Sequence, residues 1–331
     1  MKSLRVAVVV GGPSSEAHVS RSSGRAVASA LVAGGQQARL VELCADTATL
    51  LQSEATDVAF PVTHGPIGED GCLQGMLEVL GIPYVGSGVL ASALAADKPC
   101  AKRLFRAAGL PLAEQRLVTQ GEDLEASAAR IRRDIGGAVV VKPANGGSAI
   151  GTTRIAASDA DSAMVAALRA ALQVDARALV EAFAVGQEVT CGILEQGDGT
   201  AQALPPTLIE AKASDWYDFE SRYAPGGSVH HCPPPFAAPL VERIQNVALA
   251  AHVALGCRDL SRADFVVDAA ASALTLLEVN TLPGMTSTSL FPEAAAAAGV
   301  DFQALCVGLA LRAYGRPARL APQALPMPGT G

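Results

Sequence analysis

Between Leu4 and Val10 the chain is almost unbrokenly apolar and rich in valine, the pattern of a parallel strand covered on both faces. From Ser20 onward, apolar residues recur at Ala26, Val27, Ala30 and Leu31, which predicts a helix closing at Gly34-Gly35. Residues 39–43 and 58–63 read as further strands, Leu73, Met76, Leu77 and Leu80 follow helical spacing within 71–80, and 82–85 reads as a short strand. The alternation predicts an open parallel α/β domain over residues 1–96.

Asp97-Lys98-Pro99 then has the form of an N-cap with proline in the first turn, opening a helix that ends near Gly109. Strands at 115–118, 138–142, 151–155 and 177–182, with a helix at 158–172, predict an α+β domain over 97–185. From 186 to 315 the pattern predicts a second α+β domain. It is strand-rich at first, with a long polar loop at 212–235, a helix at 237–255, strands at 260–267 and 274–280, and two terminal helices. Residues 316–331 carry four prolines and little periodicity, the pattern of a disordered tail.

Composition narrows the function. In 331 residues, half are apolar and 17% charged, enough for a large core shared among two or three units. A net charge of −7 with no basic run speaks against a nucleic-acid or anionic-membrane partner. The seven cysteines are scattered and form no CxxC pair, as expected of reduced thiols in the cytoplasm, and supply no zinc motif. The apolar run at 4–10 stops at Gly11-Gly12-Pro13, too soon for a signal peptide, and nothing later is long enough to span a bilayer.

The most informative chemistry lies in Ser261-Arg262-Ala263-Asp264-Phe265 and Leu277-Glu278-Val279-Asn280. Alternate side chains of a strand share a face, so Arg262 goes with Asp264 and Glu278 with Asn280. If the two strands pair, one site holds two carboxylates, an amide oxygen and a guanidinium. An all-oxygen set of that kind suits Mg²⁺ shared with nucleotide phosphates. A solvated sheet face is the alternative; it is disfavoured because Phe265, Val267, Leu274 and Leu276 mark these strands as core, where unpaired charge is costly.

Other segments are less decisive alone. Val139 to Lys142 followed by Gly146-Gly147-Ser148 could set an ammonium and backbone N–H groups against phosphates, but a surface glycine-rich hairpin explains it as well. The lysine precedes the glycines, so this is no Walker A motif, and Gly11-Gly12 lacks the GxGxxG spacing of a dinucleotide fingerprint. His64 to Gly71 follows a predicted strand, where open α/β sheets place ligand loops, and reads equally as a turn with capping acids. The aromatic stretch from Asp215 to Tyr223 is either a lid or a packing cluster.

In order, these pieces resemble the D-alanine–D-alanine ligases, a branch of the ATP-grasp superfamily, over residues 5–314. The resemblance is carried by Gly68-Glu69-Asp70-Gly71 through Glu78, by Gly86-Ser87-Gly88 through Leu94 with Asp97-Lys98, by Arg262-x-Asp264, and by Glu278-Val279-Asn280-Thr281-Leu282-Pro283-Gly284 through Ser287. It implies an ATP-grasp fold whose two α+β domains clasp ATP behind an N-terminal substrate domain. It also implies roles for individual positions. Lys98 and Lys142 would contact ATP phosphates, Glu181 and Glu188 would face adenine and ribose, and Phe183 would lie beside the base. Asp264, Glu278 and Asn280 would hold two Mg²⁺ ions, with Mn²⁺ as a substitute. Glu16 would meet the first substrate's ammonium and link to Ser148 and Tyr223, with Arg222 beside them on the nucleotide side. Arg262, the Gly284 N–H, Ser289 and Leu290 would bind the second substrate and stabilise the tetrahedral intermediate. His64 and Glu69 would flank the first-substrate pocket.

The implied reaction makes D-alanyl-D-alanine for peptidoglycan through an acyl phosphate, releasing ADP and phosphate, in a cytoplasmic homodimer. The alternatives are a related ligase of secondary metabolism, or one using another D-amino acid or a hydroxy acid; Tyr223 argues against the ester makers. A non-catalytic nucleotide-binding protein would not need the full Arg262, Asp264, Glu278 and Asn280 set. Ala17 and His18 stand where the family has an arginine and an acid, Arg222 where it has a lysine, and Ala182 where it has an adenine-side lysine. Val229 to Pro235, with His230-His231, is also unusual. The first substrate is where these departures bear, and a protonated His18 is a candidate to brace Glu16.

Overall fold

The structure is a computed structural model that describes residues 3–147, 150–211 and 227–316. Its described strands form three sheets. In the first, β1 (Arg5–Val10) lies between β2 (Gln37–Glu42) and β3 (Val58–Pro61), all parallel. Five of the six β1 residues are buried, as its unbroken apolar pattern requires. Residues 82–85 form no strand: Tyr84 makes a single bridge to Ala59, because Pro83 interrupts the donors a ladder needs. Helix α1 (Ala17–Ala33) begins three residues before Ser20, and α2 (Thr47–Ser53), α3 (Cys72–Leu80) and α4 (Val89–Ala96) complete this part.

The second sheet runs β4-β7-β5-β6, from β4 (Gln115–Thr119), β5 (Val139–Pro143), β6 (Thr153–Ile155) and β7 (Arg177–Ala182). Every neighbour is antiparallel, and one face is covered by α6 (Leu124–Asp134) and α7 (Asp161–Val174) through Ile131, Met164 and Leu168. Helix α5 (Lys98–Ala107) starts where the capping pattern placed it, with Asp97 accepting from the Cys100 N–H at 2.9 Å. Its Ala101 and Phe105 pack with Ile244, Ala248 and Phe265 of the third sheet's core.

That third sheet runs β11-β10-β8-β12-β13, with β9 (Ala201–Ala203) also on β8 (Gln187–Glu195). The others are β10 (Thr207–Ala211), β11 (Ser228–His231), β12 (Leu260–Asp268) and β13 (Ala273–Asn280). The polar stretch 212–235 is therefore not all loop, since Ser228–His231 pairs with β10. Helix α8 (Ala238–Leu255) covers one face, and α9 (Leu290–Ala297) leads to α10 (Phe302–Gly315). Leu305, Leu309 and Ala313 of α10 return to the core of the first sheet beside Val27, Leu31 and Phe60.

Gly186, between β7 and β8, is one glycine the fold demands. Its φ is +146°, and a Cβ there would meet the Val267 carbonyl oxygen at 2.4 Å. Asp259 is the converse case, a fully buried non-glycine residue at φ +62°. One carboxylate oxygen accepts from the Gly86 N–H at 2.8 Å, and the other from Arg312 and Arg316. It thus ties the first sheet, β12 and α10 together.

Candidate active site

β12 and β13 pair antiparallel with Arg262 opposite Asn280 and Asp264 opposite Glu278. Alternation buries Ala263, Phe265 and Val267 on one side and leaves Arg262, Asp264 and Val266 half-exposed on the other. A bulge follows Asp264, so Leu277 and Glu278 both turn to the same cleft. Arg262 holds Asp264 in a fork, both N–O distances being 2.8 Å. Asn280 Oδ1 accepts from the Leu282 N–H at 2.9 Å, which fixes the turn leaving β13.

The cleft lies between the second and third sheets. Val140, Val266 and Leu277 supply apolar walls, and Lys98, Lys142, Glu181 and Glu188 supply charge. Phe183 lines it too, with the Arg154 guanidinium 4.0 Å from its ring centroid, a cation–π contact. Lys98 Nζ stands 3.3 Å from Glu278. Lys142 pairs with Glu181 at 2.6 Å, and so does Lys102, from one turn after Lys98 on α5. Burial pushes the Glu181 carboxyl upward, but the two ammonium groups outweigh it and hold the group at about 2. Burial draws Lys102 below the ordinary lysine range, against the pull of Glu181.

A second recess opens over Glu69 and shares Lys98, Gly146, Gly147 and Glu278 with the first. Glu69 accepts from the Gly65 N–H at 2.8 Å and lies 4.0 Å from His64. Burial pushes Glu69 up to about 7, aided by the carboxylates of Glu16 and Glu278. Burial lowers His64, the Arg262 guanidinium adds to this, and Glu16 and a hydrogen bond with the Leu282 backbone oppose it. Glu16 sits at the entry to α1 and reaches the glycine-rich loop after β5: its Oε2 is 3.4 Å from where a Gly147 Cβ would stand.

The turn after β13 carries the remaining residues. A Gly284 Cβ would stand 3.0 Å from Ser289 Oγ, so this approach favours glycine. Ser289 precedes α9, receives the Thr286 N–H at 3.1 Å, and pairs with the Thr286 hydroxyl at 2.7 Å. Leu290 is the first residue of α9.

Lys98, Lys142, Glu181, Phe183, Glu188 and Glu278 thus line one cleft, with Asp264 and Asn280 close to Glu278 in the strand register. Glu69 lines the recess that meets it, with His64 4.0 Å from Glu69 and Glu16 reaching the Gly147 loop at its edge. Ser148, Arg222 and Tyr223 lie outside the described residues. His18 is exposed in the first turn of α1, its Nδ1 3.3 Å from the Ser15 carbonyl. Sequence reasoning missed Lys102 and Arg154. The spacing Lys98-x-x-x-Lys102 on one helix was the available signal for the first; nothing local marks Arg154.

Among the described residues no three His, Cys, Asp or Glu side chains cluster as a self-sufficient metal site. Asp264 and Glu278 are instead partners in the strand register, with Asn280 two residues after Glu278, which puts three oxygen-bearing side chains on neighbouring positions. That donor set fits a hard divalent cation completed by phosphate oxygens and water.

Residues 104–310 match the family model described as D-ala D-ala ligase C-terminus, and 35–87 match D-ala D-ala ligase N-terminus. The D-alanine–D-alanine ligase of Methylobacterium radiotolerans is 43% identical over 303 residues, 91% of this chain and 95% of its own length. The Bacillus anthracis D-alanine–D-alanine ligase, solved in complex with ATP, is 30% identical with a TM-score of 0.78, over 94% of this chain and 97% of its own. The Coxiella burnetii enzyme has the same fold at 23% identity, with a TM-score of 0.79 over 94% and 95% of the two chains.

Proposed function

This chain belongs to the D-alanine–D-alanine ligase family, and we propose on that footing that it joins two molecules of D-alanine, consuming ATP and releasing ADP and phosphate. The observation that carries the reading is the junction at Lys98 and Glu278, which border both the cleft between the second and third sheets and the Glu69 recess. A nucleotide in the first and an amino acid in the second would meet there.

A carboxylate attacks a polyphosphate poorly because both are anionic. In this reading Lys98 and Lys142 lie along the phosphates, and Glu16 receives the ammonium of the first D-alanine. The substrate carboxylate oxygen bonds to the γ-phosphorus as the bond to the β-phosphate oxygen breaks, giving acyl phosphate and ADP. The amine of the second D-alanine, its proton lost, then attacks the acyl carbon. Negative charge on the carbonyl oxygen is met by Arg262 and the Gly284 N–H, and phosphate leaves as the amide forms. Asp264, Glu278 and Asn280 would hold two Mg²⁺ ions, which when bound offset phosphate charge. Val140, Val266 and Leu277 keep the base side of the cleft dry. Glu181, Glu188 and Phe183 would face the nucleoside, with Arg222 also on the nucleotide side, Ser289 and Leu290 would serve the second substrate, and Ser148 and Tyr223 the first.

Residues 1–96 would serve the first substrate, with 97–185 and 186–315 clasping the nucleotide. The product would feed peptidoglycan assembly from the cytoplasm, made by a homodimer. No single helix among the described residues is long and apolar enough to cross a membrane. The test is ADP release across a panel of D- and L-amino acids, with products identified by mass. D-alanyl-D-alanine is the expected dipeptide. Turnover confined to another pair, or to a hydroxy acid, would reject the substrate assignment.

A further inference from the structure

Lys102 is only 1% exposed and lines neither the cleft nor the Glu69 recess, yet it carries an ammonium into the protein interior. A lysine so placed needs a partner and costs stability relative to an apolar residue of the same size. Its Nζ lies 2.6 Å from Glu181 Oε1 and 3.4 Å from the Leu276 carbonyl. The other oxygen of the same carboxylate faces Lys142 at 2.6 Å. One carboxylate is therefore divided between an ammonium that lines the cleft and one sealed behind it.

The division has an electrostatic consequence. A Glu181–Lys142 pair alone would be neutral, and it would present little field to a polyanion. With Lys102 included, the three side chains sum to one positive charge, close to the cleft wall. Lys102 also links three elements that flank the cleft: α5, where Lys98 lies one turn earlier, β7 through Glu181, and β13 through Leu276, two residues before Glu278.

We propose that Lys102 is a positioning residue for the nucleotide: by sharing Glu181 with Lys142, it holds that carboxylate in the rear wall and leaves the trio cationic toward the triphosphate. The inference rests on the reading above only in taking this cleft as the ATP site. It concerns the charged half of the nucleotide, so its signature is selectivity for ATP over adenosine rather than affinity in general.

The experiment is equilibrium binding of ATP, and of adenosine in competition, to the full chain with Mg²⁺ present and no D-alanine. Lys102→Met should weaken ATP by at least about tenfold and adenosine by less than about twofold. Adding Glu181→Gln to Lys102→Met should restore most of the ATP-over-adenosine preference, because the Glu181 charge then no longer offsets that of Lys142. Equal losses for the two ligands, or a double variant no better than the single, would overturn the proposal. If Lys102→Met does not fold, Glu181→Gln alone decides, read on ATP itself: its affinity should rise, and unchanged or weaker ATP binding overturns the proposal. A chain that behaves as expected here but releases no ADP with D-alanine would refute the proposed reaction and leave the role of Lys102 standing.

Discussion

Asp264 and Glu278 are register partners on β12 and β13, two carboxylate-bearing residues directly across the strand pair immediately before the bulge. Like charges in that relation repel. Arg262 answers one at 2.8 Å and Lys98 the other at 3.3 Å. Glu278→Ala should abolish ADP formation, a loss of roughly a hundredfold or more, with the circular dichroism spectrum unchanged. Near-wild-type Mg²⁺-dependent turnover would remove Glu278 from the metal site.

Attack on the γ-phosphorus and attack on the α-phosphorus leave different products. The proposed chemistry expects ADP and inorganic phosphate in equal amounts with dipeptide. AMP and pyrophosphate as stoichiometric products, resolved by chromatography, would rule out the acyl phosphate.

Glu69 is raised from the ordinary 4.5 to about 7 by burial, so the folded chain keeps a proton that the unfolded chain has lost. Its contribution to stability is complete below about pH 4.5 and is lost as pH rises through about 7. Glu69→Gln cannot ionise and still offers an oxygen to the Gly65 N–H. Its Tm relative to wild type should therefore be higher at about pH 8 than at about pH 5. A difference independent of pH in thermal melts would show that ionising Glu69 costs the fold nothing.

Asp259 holds Gly86, Arg312 and Arg316 from inside the protein. Asp259→Ala should cost about 3–5 kcal/mol in urea unfolding, because two guanidinium groups lose a buried partner. Asp259→Gly should cost about 1 kcal/mol less, since glycine tolerates φ +62°. If the two variants unfold at the same urea concentration, the left-handed backbone at this site carries no strain.

Much of the site was legible because its signals are local. The alternation that buries Phe265 and Val267 also sets Arg262 and Asp264 on the opposite face, and the period of a strand is a property of a few consecutive residues. Asp97 before Pro99 marked the start of α5 by the same kind of short-range bonding. α4 was not legible: Val89 to Ala96 is apolar and alanine-rich all round, so no face stands out. α6 was missed although Asp123 caps it by accepting from the Ala126 N–H at 3.0 Å, a polar signal with a weak apolar stripe behind it.

The sequence by itself determined the kinds of group available, the strands that present them, and the family. Which groups meet was decided by tertiary structure. Glu16 reaches the Gly147 loop, Leu276 and Glu181 converge on Lys102, and Asp259 joins Gly86 to Arg312. These contacts depend on how whole sheets pack, which no local period encodes. The charge states follow the same division. A glutamate held near 2 at position 181 and another near 7 at position 69 are the same side chain. They differ because one is buried between two ammonium groups and the other beside two carboxylates, and burial and neighbours exist only once the chain has folded.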